Sequence, residues 1–556
     1  MADDPIILGI DLGTTFSAMA YVDRHGKPCV LPNAEGHATT PSVIHFYDRD
    51  ACVVGEEAVK MVVVDSPNVV RFVKRSMGEA GFSLDYFDHT YTPQELSALI
   101  LKKLKADAEE ALGFPVQDAV ITVPAYFNSA QRGATSEAGA LAGFNVLSIL
   151  NEPTAAAIAY GVERIGMDRN LLVFDLGGGT FDVTVMEIRG TQFRTIATDG
   201  NAELGGKDWD DRLLNHVAEQ FIRRFGADPR DDLTAYQELY ERSLAAKIAL
   251  SGKPRAAIPV NFQGHRTVVQ VTREEFEGLT RDLVSQCADT CELVIERANM
   301  GWTDIHDVLL AGGSTRMPMI QAMIQERFGR PVVVGVNPDE CVARGAALAA
   351  VFRHRPKHVA FETWRRNPTT AAPATPPPPA PPPPVERAVT PRGIVIALAE
   401  AGSAPQGAGP PLGLPQVQFT DVASHPLGIV VLDRNLQERV VPLIAAGTPL
   451  PCERRGRFAY AYDGMTAVRV EVTEGAGEVR DEVQVIGEVV LDELPPRPRG
   501  TPIEVIYRYT VNQMLEIDVT DLETRTSRRA TIQLRGSLSG AELGAAQKRI
   551  SSATVR

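Results

Sequence analysis

Ile10-Asp11-Leu12-Gly13-Thr14-Thr15 and Phe174-Asp175-Leu176-Gly177-Gly178-Gly179-Thr180 are two versions of one short phrase. Each closes an apolar run, Ile6 to Ile10 in the first and Leu171 to Phe174 in the second, and delivers an Asp before glycines and hydroxyl residues turn the chain back. Gly13 and Gly177 to Gly179 let main-chain amides approach a phosphate closely, because no side chain shields them and positive backbone angles carry no steric cost. After the second copy, Phe181, Val183 and Val185 alternate with Asp182, Thr184 and Met186, which predicts the arm of a hairpin. One such phrase reads as a tight turn. Two in matching strand contexts predict a nucleotide-gripping cleft between related halves. Asp11 and Asp175 would face each other across it, where carboxylates suit a magnesium ion that keeps most of its waters.

The chain has 556 residues, more than one core usually supports, so at least two domains are expected. A net charge of -14 disfavours a general nucleic-acid binder, which needs clustered Lys and Arg to displace counterions. The cysteines Cys29, Cys52, Cys287, Cys291, Cys341 and Cys452 include no CxxC pair and read as reduced thiols of a cytoplasmic protein. Met1 to Pro5 lacks a basic region leading into an apolar one, and no run approaches the roughly 18 apolar residues of a membrane span. Neither secretion nor a membrane is expected.

Residues 1 to 356 mix apolar strands with helical segments such as Glu95 to Leu112 and Asp208 to Phe225, an α/β pattern. Residues 357 to 416 form a linker: between Pro368 and Pro384, 10 of 17 residues are proline, which excludes a helix or a central strand and predicts a semi-rigid spacer. Gly402 to Pro415 extends this character past an apolar island at Ile394 to Leu398. From Val417 to 537 the period becomes two, as in Val468, Val470, Val472 and Ile503, Val505, Tyr507, which predicts a compact all-β domain. Residues 538 to 556 open with a Ser539-x-x-Glu542 capping box and predict one short helix.

In order, the first part also contains NAEGHATTPS at Asn33, FVKR at Phe72, VITVPAYFNSAQR at Val120, ILNEPTAAAIAYG at Ile149, LGGKDWD at Leu204, LLAGGSTRMP at Leu309 and VNPDE at Val336. This set resembles the ATPase domain of the heat shock protein 70 (DnaK-type) chaperones, across nearly all of residues 6 to 352. The resemblance implies a duplicated, actin-like ATPase domain followed by a β-sandwich that binds peptide.

By that resemblance Gly13, Thr14, Thr15 and Phe16, with Gly177, Gly178, Gly179 and Thr180, hold the phosphates of ATP or ADP. Lys74 matches the lysine beside the γ-phosphate, where a cation offsets charge on the transferring group. Glu152, Asp175 and Asp182, with Asp11, match the acidic set that orders magnesium, its waters and the nucleophile, and Asp175 or Asp182 would accept the water's proton. Potassium is the second cation implied. Adenosine would lie against Gly312, Gly313, Ser314 and Arg316, near Lys247, Ser251 and Asp339, with the planar guanidinium of Arg316 suited to stacking on a base. Pro124 and Arg132 match the relay residues beneath the site. In the β domain Ile429, Leu432, Phe458, Val468 and Val470 would line an apolar groove, with Leu432 and Ala461 arching over it. The competing reading makes them the core of any sandwich.

Several departures stand out. Leu244 replaces a Glu near the ribose, which implies weaker nucleotide binding, and Lys207 replaces an acidic residue with an effect that does not follow from sequence. Gly206 stands where a Walker A lysine must follow its glycine, so that motif fails on spacing. The chain beyond Leu538 is too short for the family's helical lid, so fast peptide exchange is expected. The family's acidic-leucine linker gives way to the proline spacer, and Ser136 and Ser148 occupy positions of a Lys and an Arg that engage that linker and the J-domain co-chaperone. Relaxed coupling is therefore expected. Two functions follow: a DnaK-type chaperone ATPase acting on unfolded polypeptide, with J-domain and nucleotide-exchange partners, or a nucleotide-switched adaptor recruiting a dedicated protein. A small-molecule kinase of the same superfamily is a third, without a sugar-binding signature to support it.

Overall fold

The strand Ile7–Asp11 runs parallel to Asp118–Val123 on one side and antiparallel to Phe16–Val22 on the other, and Asn145–Asn151 continues the parallel side. Arg169–Leu176 repeats this arrangement, antiparallel to Phe181–Arg189 and parallel to Asp307–Ala311. The computed structural model describes residues 6–329, 337–354, 417–433, 435–531, 537–538 and 540–556. The proline-rich stretch, the island at Ile394, the Gly402 to Pro415 run, most of the VNPDE motif's lead-in and Ser539 of the capping box lie outside them. Phe181–Arg189 forms the expected hairpin but is buried on both faces over most of its length, so its alternation is one of chemistry and not of exposure.

Helices Glu152–Gly161 and Cys341–His354 fill the space where the two sheets meet, sharing one apolar core with Ile7 and Val120 of the first and Leu171 and Val173 of the second. A Cβ on Gly345 would lie 1.7 Å from the Ala155 carbonyl oxygen, and one on Gly9 would lie 2.1 Å from the Ala347 nitrogen. Only glycine permits so close a crossing of backbones. The helix predicted at Glu95 begins earlier, as Pro93–Leu112: proline suits its first position, and Thr92 and Glu95 form a reciprocal capping box. That at Asp208 begins at Gly206.

Val417 to Thr420, which the period-two reading gave to the β domain, belong elsewhere. Gln418–Thr420 pairs in parallel with Gln192–Asn201 and becomes the edge strand of the second sheet. Val417 is buried in the core between the sheets, and Phe419 packs against it. The guanidinium of Arg353, at the end of Cys341–His354, lies 3.9 Å from the Phe419 ring centroid. Asp421 then accepts hydrogen bonds from the hydroxyls of Thr154 (2.6 Å) and Thr195 (3.0 Å). Main-chain pairing of this kind needs no acidic-leucine pattern, so the segment after the spacer meets the second lobe through a backbone ladder, two hydroxyls and Arg353. Ser148 is buried with a hydroxyl that finds no partner among the described residues.

The rest of the β domain has two antiparallel four-stranded sheets. One runs Glu438–Ile444, Leu427–Leu432, Val468–Glu474, Gln484–Leu491; the other runs Cys452–Ala459, Pro502–Tyr509, Leu515–Asp521, Ser527–Thr531. Their inward residues, among them Ile429, Val470, Val505 and Ile517, form a single core. The Tyr507 hydroxyl donates to the Gly428 carbonyl (2.8 Å) and ties one sheet to the other.

The predicted terminal helix is Gly540–Ser552. Ala546 and Ile550 are buried in the core of the first lobe, and Arg549 donates to Glu95 (2.5 Å), a fully buried carboxylate. The Lys102 amine donates to the carbonyls of Ile550 (2.7 Å) and Ala553 (2.8 Å), and Thr554–Val555 pairs in parallel with Ala51–Val54.

Candidate nucleotide cleft

The two glycine turns interlock. A Cβ on Gly178 would lie 2.3 Å from the Thr15 side chain and one on Gly179 would lie 2.4 Å from that of Thr14, so each loop packs against the hydroxyl residues of the other. Further bonds fix the second loop: the Gly177 carbonyl accepts from the Gly206 amide (2.9 Å) and the Ser314 hydroxyl (2.8 Å), and the Gly178 carbonyl accepts from the Lys207 amide (2.8 Å). Ser42 holds the Gly13 carbonyl in the first (2.7 Å).

A cavity of about 490 Å³ opens from these loops between the lobes. Of the predicted residues, Asp11, Gly13, Thr14, Thr15, Phe16, Lys74, Glu152, Asp175, Gly177, Gly178, Thr180, Lys247, Ser251, Gly312, Gly313, Ser314, Arg316 and Asp339 line it. Gly179 and Asp182 stand just behind the wall, Gly179 against Thr14 and Asp182 accepting from the Tyr126 amide (3.1 Å).

Lys74 and Glu152 form a buried ion pair at 2.7 Å. Burial and then the Glu152 charge push Asp11 up to about 7, and the same two causes push Asp182 up to about 7. Asp175 is raised well above the usual carboxylate range, by burial first and then by Glu152, Asp182 and Asp11. Carboxylates crowded around one ammonium leave the pocket with excess negative charge, which fits a divalent cation. Among the described residues no group of three or more His, Cys, Asp or Glu is arranged to hold a metal ion by itself.

Farther out, one face of the helix Leu233–Gly252 lines the cavity with Tyr240, Glu241, Leu244, Lys247, Ile248 and Ser251. The Lys247 amine is bound to Asp210 (2.9 Å) and the Gly206 carbonyl (2.8 Å). Arg316 pairs with Asp339 (2.6 Å). Sequence reading missed a clasp across the mouth: Arg71 of the first lobe pairs with Glu241 of the second (2.5 Å), with its guanidinium 4.8 Å from the Tyr240 ring centroid. Lys207 takes part beside it, paired with Asp211 (2.5 Å) and 5.7 Å from the Phe72 ring centroid.

The segment Pro124 to Ser129 joins the cleft to the β domain. The Tyr126 amide bonds Asp182, while the Tyr126 carbonyl bonds the His425 ring (2.9 Å). The Ala125 carbonyl accepts from Ser424 (2.6 Å) and from Arg132 (2.9 Å), which is fully buried and also donates to the Phe127 carbonyl (3.0 Å). Glu474 accepts from the Ser129 amide (2.9 Å) and hydroxyl (3.3 Å). The predicted groove residues are not alike. Ile429, Val468 and Val470 are buried in the core, Phe458 and Ala461 are half-buried, and Leu432 is 38% exposed.

A two-lobed α/β body with paired glycine loops lining one cavity, joined to a β domain, has the build of a nucleotide-driven ATPase with an appended binding module. The family model described as Hsp70 protein matches residues 7–83, 79–360 and 401–554. The protein called "Chaperone protein DnaK" in Thermosipho africanus is 38% identical over 540 residues, covering 96% of this chain and 81% of that protein. Its namesake in Thermotoga maritima is 36% identical over 545 residues, covering 97% and 82%. The chain belongs to the Hsp70 family. Among the described residues no helix is long and apolar enough to cross a membrane.

Proposed function

We propose that this chain is an ATP-hydrolysing molecular chaperone of the DnaK type, with nucleotide in an actin-like, duplicated cleft and extended apolar polypeptide on a β-sandwich. The observation that carries this reading is the interlocked pair of glycine loops ending at the buried Lys74–Glu152 pair. Loop amides hold the phosphates, and Lys74 and Glu152 place a water in line with the γ-phosphorus. As that oxygen bonds to phosphorus, the bond to the β–γ bridging oxygen breaks and ADP leaves with the electron pair. Asp182, pushed up to about 7 and fixed by the Tyr126 amide, is matched to take the water's proton near neutral pH, with Asp175 as the alternative base. Magnesium, when bound, would neutralise phosphate charge; Asp11 and Asp175 would hold it through water, with potassium as its monovalent companion.

Unfolded polypeptide and co-chaperones are the partners of this family in general. The exposed apolar side chains of Leu432, at the end of the strand Leu427–Leu432, and of Leu436 and Tyr462, in loops of the β domain, support apolar peptide binding there. The six free cysteines suit a cytoplasmic setting. The adaptor reading draws support from one fact: three of the six groove positions are spent on the core.

Single-turnover hydrolysis and release of a labelled apolar peptide test both halves. Lys74→Ala should abolish the chemical step while nucleotide binding persists, and ATP should speed peptide release in the unaltered protein. Undiminished hydrolysis removes Lys74 from the mechanism. Peptide binding with release indifferent to ATP defeats coupling, and no peptide binding leaves the adaptor.

A further inference from the structure

The residues on either side of Lys74 reach both lobes. Phe72 has a left-handed backbone (φ 59°), which a bulky residue rarely adopts, and neighbouring side chains leave it in opposite directions. The Phe72 ring packs against the core of the second lobe, and Val73 is buried in that of the first. Lys74 then turns into the cavity to Glu152, while Arg75 stands behind the wall. Its Nε donates to the Gly179 carbonyl (3.0 Å) and its Nη2 to Asp208 (2.6 Å). Asp208 also accepts from the Gly205 amide (2.7 Å), at the start of the helix Gly206–Phe225. Three successive carbonyls of the second loop are thereby held. The Gly206 and Lys207 amides hold those of Gly177 and Gly178 from within the second lobe, and Arg75 holds that of Gly179 from the first. A planar trans peptide sets a carbonyl and the next amide on opposite sides, so the bond at Gly179 fixes the direction of the Thr180 amide.

We propose that Arg75 is a positioning residue for hydrolysis, which sets Lys74, its neighbour in the chain, against the second phosphate loop when the lobes are closed. Lys74 and that loop belong to different lobes, so their separation follows the angle between the lobes unless something bridges them. Arg75 is tied at both ends, by the peptide bond to Lys74 and by hydrogen bonds to the Gly179 carbonyl and Asp208. A guanidinium presents its donors in a rigid fork and serves two acceptors at once, a geometry that an ammonium does not reproduce. The inference rests on the nucleotide reading above and deepens it.

The test is single-turnover ATP hydrolysis by the full chain with magnesium, measured beside ATP affinity. Arg75→Ala should slow hydrolysis by about 30-fold, short of the roughly 100-fold cost of a full 1 Å misplacement, while affinity stays nearly unchanged. Adding Asp208→Asn to Arg75→Ala should cost little more, because the two side chains act as one unit. Hydrolysis at the full rate in Arg75→Ala overturns the proposal, and so does an affinity that falls as far as the rate, which marks a residue that only holds nucleotide. If Arg75→Ala does not fold, Arg75→Lys carries the same test: it keeps the charge and one of the two bonds, and should lose rate by a smaller factor, again without loss of affinity. An unaltered chain that binds no ATP would defeat the nucleotide reading itself, and this role with it.

Discussion

In the cleft, side chains of unlike charge are packed into a space walled by glycine turns: Lys74 against Glu152, with Asp11, Asp175 and Asp182 around them. In the seam between the lobes and the β domain, the main chain supplies one side of many contacts. Carbonyls of Ala125 and Tyr126, the amide of Ser129 and the ladder between Gln192–Asn201 and Gln418–Thr420 meet Ser424, His425 and Glu474. The cleft depends on which atoms are absent, since no Cβ fits at Gly178 or Gly179. The seam depends on backbone groups that every residue owns. One is intolerant of volume, the other of lost partners.

The largest expected effect follows from that intolerance. Gly178→Ala sets a Cβ at 2.3 Å from the Thr15 side chain, so the two loops must separate. A displacement near 1 Å of groups that position phosphates costs about 100-fold in turnover. Steady-state ATPase assays should show that loss while amide exchange in the seam, at residues 124–129, stays as it was. A variant with normal turnover would mean that loop contact is dispensable and that the contrast between cleft and seam is false.

The same contrast explains what could be read beforehand. Asp11 and Asp175 were legible from the repeated phrase and Lys74, Glu152 and Thr180 from the family resemblance of their motifs, and the structure brings all five to one cavity. Gln418–Thr420 was not, because a parallel ladder is bonded through backbone atoms and any non-proline residue serves. Glu474 offered no signal in an alternating strand, where an acidic residue reads as solvent-facing, yet it is buried against Ser129. The Arg71–Glu241 clasp joins residues far apart in sequence, and neither belongs to a quoted motif, though Arg71 directly precedes one. Ile429, Val468 and Val470 carried an ambiguity that sequence cannot remove, since inward strand positions are apolar whether they face a ligand or a second sheet.

A smaller effect is expected where the terminal helix meets the first lobe. Arg549→Ala removes two hydrogen bonds from Glu95, which is fully buried and otherwise engaged with Thr92. Hydrogen bonds to a charged group contribute about 1.5–3 kcal/mol, and the one-third exposure of Arg549 reduces this to about 1 kcal/mol. Amide exchange across residues 540–555 should quicken by about fivefold, with the cleft unchanged. Equal protection in the variant would show that Ala546, Ile550 and the Thr554–Val555 ladder anchor this segment without help.

The smallest effect is a pH dependence confined to the seam. Burial raises the Glu474 carboxyl above its ordinary 4.5, while the neighbouring His425 ring, the donors on Ser129 and the Arg132 guanidinium oppose the shift. Its pKa is higher docked than free, so its contribution to docking is complete below 4.5 and is lost as pH rises through the raised value. Amide exchange at residues 124–129, corrected for intrinsic rates, should therefore accelerate modestly from pH 5 toward neutrality. Glu474→Gln keeps an acceptor for Ser129 but has no proton to lose, so its corrected rates should not vary over that range. Should the glutamine variant keep the full slope, another group in the seam titrates, and Glu474 holds Ser129 by geometry alone.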